Sequence, residues 1–140
     1  MALVRLSVIR AAVLAACALC AVGVLAQDLQ LTGAQEVPPN DSKAVGTGSI
    51  KIDADGNVSG SVSTPTIQGR AAHIHVGAPG QAGPPIITLN GGDPGVWTVP
   101  EGAKLTPTQM ALWKAGNLYV NVHTAEHPGG EVRAQLKPAP

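Results

Sequence analysis

From Gly48 to Leu136 the chain changes character every few residues. Short runs of alternating apolar and polar side chains are each cut off by Gly, Pro, Asn or Asp. "GSIKID" and "NVSGSVS" flank Ala54-Asp55-Gly56, and Asp-Gly between two alternating runs is a strong hairpin signal. "AAHIHV" stops at Gly77, and the loop "GAPGQAGPP" leads into "IITLN". "NLYVNVHT" and "GEVRAQL" read as two strands joined by "AEHPG". Strand signals that return about every 8–12 residues predict an all-β domain, a Greek-key β-sandwich or barrel of the immunoglobulin-like or superoxide-dismutase-like kind.

One segment breaks the pattern. In "LTPTQMALWKAG", Thr106 is placed as an N-cap and Pro107 suits the first helical position. Gln109 completes a capping box three residues after Thr106. Gly116 then stops the helix, which gives one short helix near 106–115. Its face bearing Met110, Leu112 and Trp113 reads as core packing. The stretch before it, "GGDPGVWTVPEG", reads as a loop.

The chain opens with "MALVRLSVIRAAVLAACALCAVGVLAQDLQ". Arg5 and Arg10 precede an uncharged apolar run, and Val24-Leu25-Ala26 is the small-residue pattern that signal peptidase reads. Residues 1–26 are therefore expected to be a cleaved signal peptide, leaving 27–140 as a single domain in the periplasm or outside the cell. The run is shorter than the roughly 20 apolar residues of a membrane span. A lipoprotein box ending at Cys17 is the competing reading, but few apolar residues separate it from Arg10.

Both cysteines of the chain, Cys17 and Cys20, leave with the leader. The mature domain then has no disulfide, no thiolate ligand and no cysteine nucleophile. Its charge is slightly acidic, because Arg5 and Arg10 are two of only nine basic residues. With no basic cluster and only Trp97, Trp113 and Tyr119 as aromatics, nucleic acid is excluded as a partner.

Strand alternation sorts the remaining polar residues by face. In "AAHIHV", His73 and His75 point away from Ala72, Ile74 and Val76. In "NLYVNVHT", the apolar set is Leu118, Val120 and Val122, so Tyr119, Asn121 and His123 share the opposite face. In "GEVRAQL", Glu131, Arg133 and Gln135 lie opposite Val132, Ala134 and Leu136. The expectation is a polar outer face on which three of the chain's four histidines come together.

Two histidines spaced i, i+2 on a strand have Cβ atoms roughly 7 Å apart, close enough to share one ion. A third imidazole from a neighbouring strand gives a three-nitrogen site. Neutral imidazole suits copper or zinc, and affinity ordering places Cu(II) first. The candidate ligands are His73, His75 and His123, with His127, Glu131 and Glu126 as possible additions or orienting groups. The bland alternative is histidine on a solvated strand face, paired with Glu131 or a backbone carbonyl.

Other chemistries find little footing. No G-x-S-x-G elbow accompanies the serines, and the glycine loop lacks the lysine and helix of a phosphate loop. Glu36 and Glu131 are available as a carboxylate pair, yet the aromatic platforms of a glycosidase are missing. The chain reads as a binding protein more than an enzyme. Two rivals stay open: an extracellular interaction module without metal, whose partner is an unidentified exported protein, and a copper-dependent oxidoreductase of superoxide-dismutase type.

"LTGAQEVPP", "AAHIHVGAPGQAGPPIITL" and "LTPTQMALWKAGNLYVNVHTAEHPGGEVRAQL" follow one another in an order that resembles the chordin-type domain, CHRD. The resemblance runs from about Leu29 to Leu136 and is similar to the stand-alone exported bacterial members. It implies a secreted immunoglobulin-like or Greek-key β domain more firmly than any activity. The H-x-H strand also looks like the copper strand of copper/zinc superoxide dismutase. That likeness matches His73 and His75 to paired copper ligands and His123 to a later one. This chain departs from that pattern in having no bridging histidine, no zinc-loop histidines and no disulfide.

Overall fold

The computed structural model describes residues 27–92 and 95–138. The signal-peptide reading, with Cys17, falls on residues 1–26, which lie outside the described residues. Nine strands follow in chain order: β1 Gln27–Thr32, β2 Val45–Ile52, β3 Val58–Ser63, β4 Gly69–Val76, β5 Pro85–Thr88, β6 Asn90–Gly91, β7 Val96–Thr98, β8 Leu118–Thr124 and β9 Val132–Leu136. One helix, α1, spans Pro107–Lys114. The architecture is all-β, as the alternation predicts.

All pairings are antiparallel, and the strands form one curled sheet in the order β5-β4-β8-β9-β1-β2-β3-β7-β6. Its two ends approach each other, so the sheet is a nearly closed barrel. The β4–β5 ladder runs one residue past Thr88, where Leu89 N–H donates to the Ala72 carbonyl at 2.9 Å, and the chain passes directly into β6 at the other end of the sheet. Trp97 of β7 packs against Gly69 of β4, where a Cβ would press into the indole. Closure matters because an open edge would leave a row of unpaired backbone groups.

The barrel interior holds the apolar half of each alternating run. Leu29, Leu31, Ile50, Ile52, Val62, Ile74, Leu118, Val120, Val122, Val132 and Leu136 are all buried. Burying such side chains supplies most of the folding free energy, at about 1.5–3 kcal/mol for each large one. α1 sits against this core through Met110, Leu112 and Trp113, which are partly buried. Its N-terminus carries the expected capping box: the Thr106 hydroxyl accepts from Gln109 N–H, and the Gln109 side chain accepts from Thr106 N–H.

Two expectations need correction. Part of the segment read as a loop, "GGDPGVWTVPEG", is strand: β7 and half of β6 come from it, and Trp97 is buried there. Gly and Pro on both sides hid a β-favouring run, Val-Trp-Thr-Val, too short to show alternation. The face opposite the core on β4, β8 and β9 is also not open. His75, Tyr119, Asn121, Glu131 and Arg133 are all buried. Alternation tells which side a residue faces but not what folds back over that side.

Two irregular segments supply the cover. The first is Gly77–Pro84, the glycine-proline loop between β4 and β5. The Arg133 guanidinium donates to the carbonyls of Gln81 (2.9 Å) and Ala78 (3.0 Å), and Gln135 Nε2 donates to the Gly77 carbonyl at 2.7 Å. The second runs from the 3-10 turn Gly33–Gln35 to Lys43. Asn40 Nδ2 donates to the carbonyls of Gly130 and Glu131, and Ser42 donates to the Glu131 carboxylate. The domain therefore has two cores, an apolar one inside the barrel and a small polar one outside it.

Candidate metal centre

β4 and β8 are neighbours, so the question left by the sequence is answered by their register. Ala71 lies opposite His123, His73 opposite Asn121, and His75 opposite Tyr119. Side chains on adjacent strands contact both directly and diagonally. His73 and His123 thus meet on the diagonal, and Nδ1 of His73 lies 3.0 Å from Nε2 of His123. His73, His75 and His123 each present one ring nitrogen such that the three lie within 4.8 Å of one another.

Backbone carbonyls set two of the three tautomers. The Gly83 carbonyl lies 2.9 Å from His75 Nδ1, and the Pro128 carbonyl 2.9 Å from His123 Nδ1. A carbonyl only accepts, so both Nδ1 atoms carry the proton and both Nε2 atoms are acceptors. His73 Nδ1–H then donates to His123 Nε2. His75 Nε2 is buried and has no hydrogen-bond partner. His75 thus has the arrangement that a ligating imidazole requires, one nitrogen anchored and the other free, while an ion would take the place of the His73 proton at His123 Nε2.

The electrostatics favour the neutral form. Burial lowers the pKa of both His73 and His75, and His123 beside them adds to the depression. For His75 the Gly83 carbonyl and the Asn121 side chain act in the opposite sense, while burial remains the largest influence. Neutral imidazole is the form that binds a metal.

A stack of rings supports His75 from behind. Its imidazole lies parallel to the Tyr119 ring, and Arg133 Cζ sits 3.5 Å from the centroid of Tyr119. Because β8 runs between β4 and β9, Tyr119 stands between the imidazole and the guanidinium. The guanidinium in turn pins the loop whose Gly83 carbonyl holds His75. Arg133 itself is 1% exposed and committed to the loop carbonyls.

The other candidates lie elsewhere. Glu131 gives one carboxylate oxygen to Ser42 (2.6 Å) and the other to Thr124 (2.7 Å), so it fastens the Asn40–Lys43 segment and does not join the imidazoles. Glu126 is exposed, and His127 is half-buried in the β8–β9 turn, outside the three-imidazole group. Glu36 does not pair with Glu131. It is buried beside Asn121 and Arg133, and burial raises its pKa to about 7 against smaller lowering by both neighbours. Sequence reading put Tyr119, Asn121 and Arg133 on the histidine face but gave them no part in the site. For Tyr119 and Asn121, an even spacing from His123 along one strand was the available signal.

Fold and face together define an all-β barrel domain with a three-imidazole cluster on its outer wall. The chain belongs to the CHRD domain family, whose model matches residues 28–136. No curated protein and no solved structure is significantly similar to it. Family membership fits an extracellular module. Among the described residues no helix is long and apolar enough to cross a membrane.

Proposed function

We propose that this CHRD domain is an exported metal-binding protein that holds one ion through His73, His75 and His123. The ion is copper, with zinc second, and the role is metal binding, tolerance or delivery in the periplasm or outside the cell. The observation that carries this reading is the pair of anchored tautomers: two imidazoles fixed through Nδ1 turn two Nε2 acceptors toward the third ring, whose Nδ1–H meets the one on His123. One of them, on His75, is buried with no other partner.

Three neutral imidazoles suit Cu(II) best by affinity ordering and suit Zn(II) next. No cysteine or methionine belongs to the cluster, so a blue-copper electron carrier is a poor fit. His73 and His123 are half-exposed, which gives an ion a route in from solvent on that side. His75 forms the closed back wall.

The test is metal content. The full chain, purified from its native source, is expected to carry about one copper per molecule by elemental analysis. His73→Ala and His123→Ala are each expected to lose it. Unchanged stoichiometry in both variants would rule out the site. Export is tested separately by the N-terminal residue of the mature protein, expected to be Gln27.

A further inference from the structure

We infer that the side-chain oxygen of Asn121 is a fourth donor to the ion held by the three histidines. This rests on the metal reading above and deepens it. Asn121 stands directly opposite His73 in the β4–β8 register and two residues before His123 on β8. It is 1% exposed, and its Oδ1 has no hydrogen-bond partner.

The surroundings decide which way the amide points. On one side of it lie the Gly129 carbonyl, 3.5 Å from Nδ2, and the Glu36 carboxyl group. The Gly129 carbonyl accepts, and the Glu36 carboxyl group keeps an accepting oxygen whether or not it holds a proton, so the NH2 end belongs there and the oxygen turns toward the imidazoles. Gly130 makes this contact feasible: a Cβ there, at φ +130°, would collide with Glu36 Oε1. On the other side the Asn121 side chain adjoins His75, whose Nε2 is also buried without a partner.

Two bare acceptors therefore share one buried corner. Lone pairs of an amide oxygen and an imidazole nitrogen repel, and neither has a donor to offset its desolvation. A cation bound by both removes the conflict. A donor set of three imidazoles and one amide oxygen is harder than three imidazoles alone. It favours Cu(II) and Zn(II) over Cu(I), which prefers soft ligands and low coordination numbers.

The test separates the two oxidation states. Affinities of the full chain and of Asn121→Leu are measured by competition, for Cu(II) and for Cu(I) separately. Loss of a ligating oxygen is expected to weaken Cu(II) by about 10–100-fold and to leave Cu(I) unchanged. The electron paramagnetic resonance spectrum of the Cu(II) form changes with it. Asn121→Asp, which keeps an oxygen and adds charge, restores tight Cu(II) binding. Should Asn121→Leu fail to fold, the unmodified chain supplies the readout. Its Asn121 Cγ carbon resonance moves downfield on addition of one equivalent of Zn(II).

Equal loss of both copper affinities makes Asn121 a structural residue only and overturns the inference. So does an Asn121→Leu protein with unchanged Cu(II) affinity and spectrum, or an unmoved Cγ resonance. In those cases the three-histidine site stands. Absence of any metal binding by the unmodified chain overturns both readings together.

Discussion

The imidazole of His75 lies parallel to the ring of Tyr119, with 4.8 Å between centroids and 7° between planes. His75 is thereby fixed from two directions, by Tyr119 across its face and by the Gly83 carbonyl at its edge. Replacing Tyr119 by Leu removes the stack and the Arg133 contact. We expect it to reduce stability by about 2–4 kcal/mol. Metal affinity falls about tenfold as His75 loosens. Tyr119→Phe keeps the stack and loses the two contacts of the hydroxyl with Gly83, accepting from its N–H at 3.2 Å and donating to its carbonyl at 3.5 Å, at about 1 kcal/mol. Urea denaturation measures both, and equal effects of Leu and Phe would contradict the stacking role.

Arg133 joins the loop to the barrel wall. Its guanidinium reaches the Gln81 and Ala78 carbonyls and Gln135 Oε1 at once, a fork that lysine does not reproduce. Arg133→Leu is expected to cost about 3 kcal/mol, because two carbonyls lose their donor. Arg133→Lys recovers less than half of it. Faster amide hydrogen exchange over 77–84 in both variants is the accompanying sign, and an unchanged exchange pattern would show the loop is held by other means.

Gly83 packs so tightly under the strand that a Cβ would collide with the Val76 carbonyl. Gly83→Ala must push the loop outward and carry the Gly83 carbonyl away from His75. The expected result is a folded barrel, by far-ultraviolet circular dichroism, with metal affinity reduced about 10–100-fold. Wild-type affinity in this variant would remove the Gly83 carbonyl from any part in the site.

Metal uptake depends on pH through neutral imidazole. His73 and His75 have pKa values below the ordinary 6.5, burial being the main cause. Protonation of these two rings therefore sets in at lower pH than for an ordinary imidazole. The same shift acts on folding. Between the depressed values and pH 6.5 the unfolded chain binds protons that the folded one does not, so this contribution to stability is present above 6.5 and lost as pH falls below it. Isothermal titration with Cu(II) at stepped pH is expected to show affinity falling as pH drops through about 6.5, once buffer competition is corrected, and a pH-independent affinity would exclude imidazole ligands.

Glu36 acts in the opposite sense. Its pKa, raised from 4.5 to about 7 by burial, keeps the proton on the folded form while the unfolded form releases it. Stability from this residue is full below pH 4.5 and declines as pH rises to about 7, staying low above it. Glu36→Gln removes the penalty. The variant is expected to be more stable than the parent at pH 8, by about 1–3 kcal/mol, and no more stable at pH 4. Thermal unfolding at the two pH values checks it, and a gain of equal size at both would disprove the assignment.

Much of the fold was legible in local pattern. The Asp55-Gly56 hairpin, the Thr106–Gln109 capping box and the alternation of β4, β8 and β9 are short-range features, and each appears where its residues place it. β1 and β7 were not legible. "QDLQLT" is short and polar-rich at its edges, and "VWT" belongs to a run of four residues between Gly95 and Pro100. Both are strands because the sheet has places for them, between β2 and β9 and beside β3.

The candidate site divides along the same line. Sequence by itself determined that His73 and His75 share a face, that His123 lies on the corresponding face of its own strand, and that the apolar halves of those strands form one core. Period-two geometry dictates as much for any extended chain. Only the tertiary structure decided that β4 and β8 are neighbours in a register that brings His123 beside His73. It also decided that the opposite face is buried under a glycine-proline loop, which turns Tyr119, Asn121, Glu36 and Arg133 from surface residues into the walls of the site. Strand pairing and loop cover join residues tens of positions apart, and no local periodicity records which partner a strand will find.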